Sequence, residues 1–157
     1  MATGGVLGNG CKAAYSLNSP LSWTAVTQLI DLSFPSWVAD RVNKDTHSIT
    51  NKLHRNMPGM ITVGDPGFTT LGDMDPATSP DWDQIRQWNI DGTKVWWRFE
   101  VPTNRAKTLF RGLEFEASVA EIVPAVPIAD KQTSATKLMF EGDDVYWDAA
   151  AGASEIS

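Results

Sequence analysis

Residues 94–101 read KVWWRFEV. Val95, Trp97, Phe99 and Val101 alternate with Lys94, Trp96, Arg98 and Glu100, the period of two that places one set on each side of a β-strand. The pattern returns downstream of Leu109, where Leu113, Phe115, Ala117 and Val119 form an apolar set and Glu114, Glu116 and Ser118 the opposite one. Strands with one apolar and one polar face need a second layer against which to bury the apolar face. Val95, Trp97, Phe99, Leu113, Phe115 and Val119 are therefore expected in a core between two sheet layers.

Working outward, residues 81–89 predict a single helix. Ser79 or Asp81 can cap it, Pro80 suits its first turn, and Trp82, Ile85 and Trp88/Asn89 recur at helical spacing before Asp91-Gly92 turns the chain. Residues 60–71 hold two short β pieces around Gly64-Asp65-Pro66-Gly67. Residues 23–34 read as one strand, or two broken by a bulge, ending at Pro35. Near the C-terminus, Thr136–Glu141 and Val145–Trp147 flank Gly142-Asp143-Asp144, which predicts a hairpin. Seven or eight short strands and one helix imply a mainly β protein: one sandwich- or barrel-like domain over residues 1–157. Three stretches read as irregular. They are a Gly-, Ser- and Ala-rich arm (1–20), a long polar loop (43–58) and a small-residue tail (149–157).

Composition narrows the function. With 157 residues, 42% of them hydrophobic and 20% charged, the chain can bury a core and is not of the disordered class. Its single cysteine, Cys11, excludes a disulfide scaffold, and no apolar run approaches the ~20 residues of a membrane helix. No signal peptide is visible at the N-terminus, so reduced, cytosolic synthesis is expected. The net charge of −6 argues against gripping phosphates. Charge is uneven: residues 1–60 carry five Lys/Arg against three Asp, and the remainder eight Lys/Arg against sixteen acids. Such asymmetry suits head-to-tail contact between copies and is also found in ordinary domains.

No constellation carries catalysis, so no enzyme, cofactor or resident metal is expected. Gly4, Gly5, Gly8 and Gly10 lack the strand before and helix after that a phosphate loop requires. His47 and His54 have no third ligand at metal spacing. Asp73, Asp75, Asp81 and Asp83 lack the ordered spacing of a calcium loop. Glu114 and Glu116 read as a solvated sheet face before they read as a glycosidase pair. Seven tryptophans leave open an aromatic core, an assembly interface or a sugar-binding face.

Three segments together resemble the tail tube (major tail) proteins of long-tailed bacteriophages. They are GVLGNGCKAAYS (5–16), QLIDLSFPSW (28–37) and the span VADRVNKDTHSITNKLHRNMPGMITVGDPGFTTLGDMDP (38–76), followed in the same order by helix, paired strands and a C-terminal hairpin. Cys11 and the tryptophan content depart from the family pattern, and the second keeps a carbohydrate-binding sandwich as the alternative, beside a related tube or tail-terminator ring protein. The resemblance implies a structural virion protein assembled in the host cytoplasm. Six copies form a ring, and rings stack into a hollow tube that conducts DNA to the host without binding it. Its partners are further copies of itself and other tail proteins such as tape measure and terminator, with no membrane. Lys44, Asp45, His47, Lys52, His54, Arg55 and Met57 are then the inter-ring loop residues. A channel for DNA favours acidic walls, so Glu114 and Glu116 are expected at the lumen, and Lys94, Trp96 and Arg98, on a mixed face, against neighbouring subunits.

Overall fold

The computed structural model describes residues 10–17, 22–43, 56–71, 80–142 and 145–156. In chain order the elements are β1 (Lys12–Ser16), β2 (Thr24–Ala25), β3 (Leu29–Ser33), β4 (Trp37–Asn43), β5 (Asn56–Val63), β6 (Gly67–Leu71), α1 (Pro80–Asp91), β7 (Lys94–Pro102), β8 (Phe110–Ala125), β9 (Thr133–Phe140) and β10 (Tyr146–Trp147). All pairing is antiparallel. The main sheet runs β2-β1-β7-β8-β9-β6-β3, with β10 also on β8, while β4 and β5 form a separate two-stranded sheet. β2 and β3 lie at opposite ends of this path, yet only residues 26–28 join them. So short a link spans at most ~14 Å, and the sheet must curl until its edges meet. The sandwich is thus one sheet folded over on itself.

The apolar face of the central strands fills the interior as the alternation predicts. Val95, Trp97, Phe99, Leu113, Phe115, Ala117 and Val119 are all buried, joined by Phe68, Leu138 and, from the helix, Ile85 and Trp88. The packing is aromatic and edge-on: Phe99 meets Phe115 at 5.1 Å and 88°, and Trp88 meets Trp97 at 6.1 Å and 89°. Trp88 and Trp97 therefore belong to the core rather than to a surface.

The helix forms where predicted and ends at Gly92. This glycine takes φ +68° as its N–H donates to the Trp88 carbonyl, a left-handed stop that favours glycine. Asp81 is not an N-cap. Its carboxylate accepts from Thr27 N–H and Oγ1 at 3.0 and 3.1 Å and from the Tyr15 hydroxyl at 3.2 Å, tying the helix to the β2–β3 turn. Burial first and Asp81 second push the Tyr15 pKa up to about 12, so the hydroxyl stays a neutral donor. Ser79 lies outside the described residues.

Within the stretch expected as an irregular arm (1–20), Lys12–Ser16 is strand β1, paired with β2 and β7, and two further differences from the sequence reading follow from backbone pairing. The first is a bulge between Val119 and Glu121, which inserts one residue into β8. Because strand faces alternate, one extra residue reverses the inward set, so Ile122 packs on the core while Glu121 and Val123 are exposed. The Asn89 side-chain amide donates to the Val119 and Ala120 carbonyls at 2.9 and 3.1 Å, satisfying groups that the bulge leaves without ladder partners.

The second concerns the expected hairpin at Gly142-Asp143-Asp144, of which Asp143 and Asp144 lie outside the described residues. β9 and β10 do not pair with each other. β9 runs along β8 to the pair Ala117↔Phe140, and β10 resumes in the same direction on β8 at Tyr146↔Glu114 and Trp147↔Leu113. The chain continues to Asp148, whose N–H reaches the Gly112 carbonyl, and to Gly152, bonded both ways to Phe110. The start of β8 would otherwise present unpaired backbone groups on this side, and the C-terminal segment supplies their partners.

Candidate functional site

β7 and β8 pair with Lys94 opposite Ser118, Trp96 opposite Glu116, and Arg98 opposite Glu114. Directly opposed residues lie on one face of a sheet. The glutamates expected at the lumen and the residues expected against neighbours therefore share a single surface, and assigning them to different walls is corrected. Register sets this parity, and alternation within each strand does not reveal it.

That surface is largely closed by the protein itself. Arg98 and Glu100, expected on an open polar face, are 1% and 0% exposed. Arg98 Nε donates to Glu100 Oε1 at 3.0 Å, Nη1 to Glu114 Oε1 at 2.8 Å, and Nη2 to Asp148 Oδ2 at 2.7 Å. Asp148 Oδ2 also accepts the Gly112 N–H at 2.7 Å, and Glu100 Oε1 accepts the amides of Glu155 and Ile156 at 3.1 and 3.2 Å. The C-terminal segment thus straps the outer face down onto one guanidinium. Gly112 makes the room, since a Cβ there would run into the Arg98 guanidinium.

Burial is the largest influence on Arg98 and opposes its charge, but the bonds to Asp148 and Glu100 outweigh it and raise the pKa. For Asp148 burial is again the largest influence, and the bonds from Arg98 and Gly112 overcome it to lower the pKa. Burial raises that of Glu114 despite Arg98. Arg98 is consumed inside the subunit, Glu114 is held by it, and Lys94, Trp96 and Glu116 remain at least partly accessible. Trp96 stands 6.3 Å from the exposed ring of Tyr146.

The long loop resolves differently. Its ends are strands: Asn43 pairs with Asn56, Val42 with Met57 and Arg41 with Pro58, so residues 43 and 56–58 of the stretch expected as loop belong to β4 and β5. Lys44, Asp45, His47, Lys52, His54 and Arg55 lie outside the described residues, and Met57 is placed by its backbone alone. The part of β5 from Met60 falls in the first β piece expected over 60–71, whereas β4 is not among the expected strands, because a hairpin whose two faces both meet solvent shows no apolar alternation. Val38, Met60 and Ile61 are 58%, 81% and 64% exposed. At its root the Gly64 N–H donates to the Ser36 carbonyl at 2.7 Å. There Phe34 stacks on Trp147 at 6.2 Å, and Trp37 meets Trp147 at 6.0 Å. Val38, Met60 and Ile61 thus leave exposed apolar side chains on this two-stranded sheet.

Among the described residues no group of three or more His, Cys, Asp or Glu side chains is arranged to hold a metal ion, and no helix is long and apolar enough to cross a membrane.

No protein family and no curated protein matches the sequence. Solved structures do match. A chain of the anti-feeding prophage baseplate, 6-fold symmetrised, aligns with TM-score 0.71 at 13% identity over 94% of this chain and 97% of its own. A chain in the tail of an empty gene transfer agent (GTA) particle, of C6 symmetry, gives 0.65 at 11% over 88% and 95%. A chain of the SPP1 tail tube gives 0.66 at 10% over 98% and 81%. Over nearly its whole length, the chain has the fold of subunits found in tail and baseplate assemblies.

Proposed function

We propose that the chain is a structural tail tube protein of a phage-type particle, six copies closing a ring and rings stacking into a hollow conduit for DNA. The observation that carries this reading is the self-paired β4–β5 hairpin. It projects apolar side chains into solvent from a fold shared with chains of six-fold and tubular tail assemblies. The net charge of −6 suits a conduit that must let a polyanion slide. Five of the seven tryptophans form no row on one face: Trp88 and Trp97 are core, Trp37 is tilted against Trp147 at the hairpin root, and Trp96 stands on the outer face beside Tyr146. In this role the subunit resides in the virion after assembly in the host cytoplasm, and meets tape measure and terminator proteins at the ends of the tube. Lys44 to Met57 reaches the next ring, and Glu116 rather than Glu114 is the glutamate left free to face DNA.

Deleting Thr46 to Arg55 should leave a folded, soluble subunit that does not polymerise. Circular dichroism and sedimentation of the variant beside the full chain check this, and normal tubes from the deletion would remove the stacking role.

A further inference from the structure

Between Glu100 and Glu114 the chain holds Arg105, Lys107 and Arg111 and no acidic residue. Arg111 is used within the subunit: its Nε donates to the Asp148 carbonyl at 3.0 Å, and its guanidinium lies 5.3 Å from the centre of the Trp147 ring. Arg105 and Lys107 stand exposed on the turn that joins β7 to β8.

Hydrogen bonds fix that turn. Asn104 Oδ1 accepts the Thr108 and Leu109 N–H groups at 3.0 and 3.2 Å, the Asn104 carbonyl accepts the Lys107 N–H at 3.1 Å, and the Thr103 N–H donates to the Leu109 carbonyl at 2.8 Å. Lys107 takes φ +56°, in the left-handed region that favours glycine or asparagine. Its stem runs past Gly10, where a Cβ would stand 3.0 Å from Lys107 Cδ. A lysine held where glycine is easier, on a turn already ordered in the free subunit, points to a use for its charge at small ordering cost.

The matching surface lies toward the other end of β8. A cleft of about 230 Å³ between β3, β6, β9 and the far part of β8 has Phe68 and Val123 as apolar walls, with Asp31, Asp65 and Glu121 exposed along it. Lys137, the cross-strand partner of Glu121, offsets one of these three charges. An apolar cleft edged by carboxylates fits a long cationic side chain, stem against the walls and charge at the rim. β8 carries the chain about 35 Å from Phe110 to Glu121, so the turn and the cleft of one copy stay apart.

We propose that Arg105 and Lys107 of one copy dock in the acidic cleft of a second copy. The inference rests on the tube reading and adds a contact that the β4–β5 hairpin does not make. Turn and cleft are different surfaces, so the contact is heterologous and repeats in one direction.

Charge exchange between copies tests it. R105E/K107E and D65K/E121K, both at exposed positions, should each keep the circular dichroism of the unaltered chain and raise the concentration needed for self-association in sedimentation velocity at least about tenfold. Mixed in equal amounts, the two variants should associate again, since each supplies the turn that the other's cleft now accepts. K107G, which relieves the left-handed backbone while removing the charge, should unfold no more easily in urea and still weaken association. Unchanged association of any of the three variants overturns the docking and leaves the tube reading intact, and loss of DNA retention by such an R105E/K107E chain would assign the turn to phosphate instead. Failure of the mixture, where each variant alone is defective, overturns the pairing of turn with cleft. Single subunits at every concentration of the unaltered chain defeat the tube reading and the docking with it.

Discussion

Arg98→Met should destabilise the subunit by about 3–5 kcal/mol, the cost of leaving buried charge without its partner. Arg98 is 1% exposed and holds Glu100, Glu114 and Asp148 together, and Glu100 is itself 0% exposed. Once the guanidinium is gone, three carboxylates face one another around a vacated site, and the amides of Glu155 and Ile156 are the remaining donors to Glu100. Urea unfolding measures the loss. Limited proteolysis should show the C-terminal strap released before global unfolding. A shift below about 1 kcal/mol would mean that packing, not this ion cluster, holds the strap. Acid should loosen the same strap. The Asp148 pKa is lowered by folding, so its contribution is present above the ordinary carboxylate value of ~3.9 and is lost as pH falls through the folded value. Glu114, raised by folding, runs the other way: its ionisation costs stability as pH rises.

Phe115→Ala should cost about 3–5 kcal/mol, because the side chain is fully buried and its removal opens a cavity against Phe99, whose ring centroid lies 5.1 Å away. The denaturant midpoint should fall with little change in slope. A cost under about 1 kcal/mol would place Phe115 on the wrong face of β8.

The core was legible because its signal is local. KVWWRFEV and the run from Leu113 to Val119 alternate strictly, and both runs bury the predicted sets. The outer face was not legible, because what covers it lies far along the chain. Asp148, Glu155 and Ile156 reach Arg98 and Glu100 across separations of about fifty residues. One local sign was present: Gly112 inside a strand pattern marks a close approach, here of the Arg98 guanidinium. Whether Glu114 shares a face with Arg98 or opposes it depends on register across residues 103–109, and alternation is blind to register. The bulge at Val119/Glu121 reverses the pattern for the same reason. The β4–β5 pairing escaped a reading based on burial because most of its described side chains are exposed, and the exposure of Met60 and Ile61 becomes visible only once the strands are paired.

The central claim is that this subunit makes tubes. Negative-stain electron microscopy of the purified, unaltered chain at increasing concentration tests it most directly. The account predicts six-fold rings and hollow tubes that lengthen with concentration. A uniform population of single subunits across that range, with the hairpin exposed and no polymer formed, would contradict it.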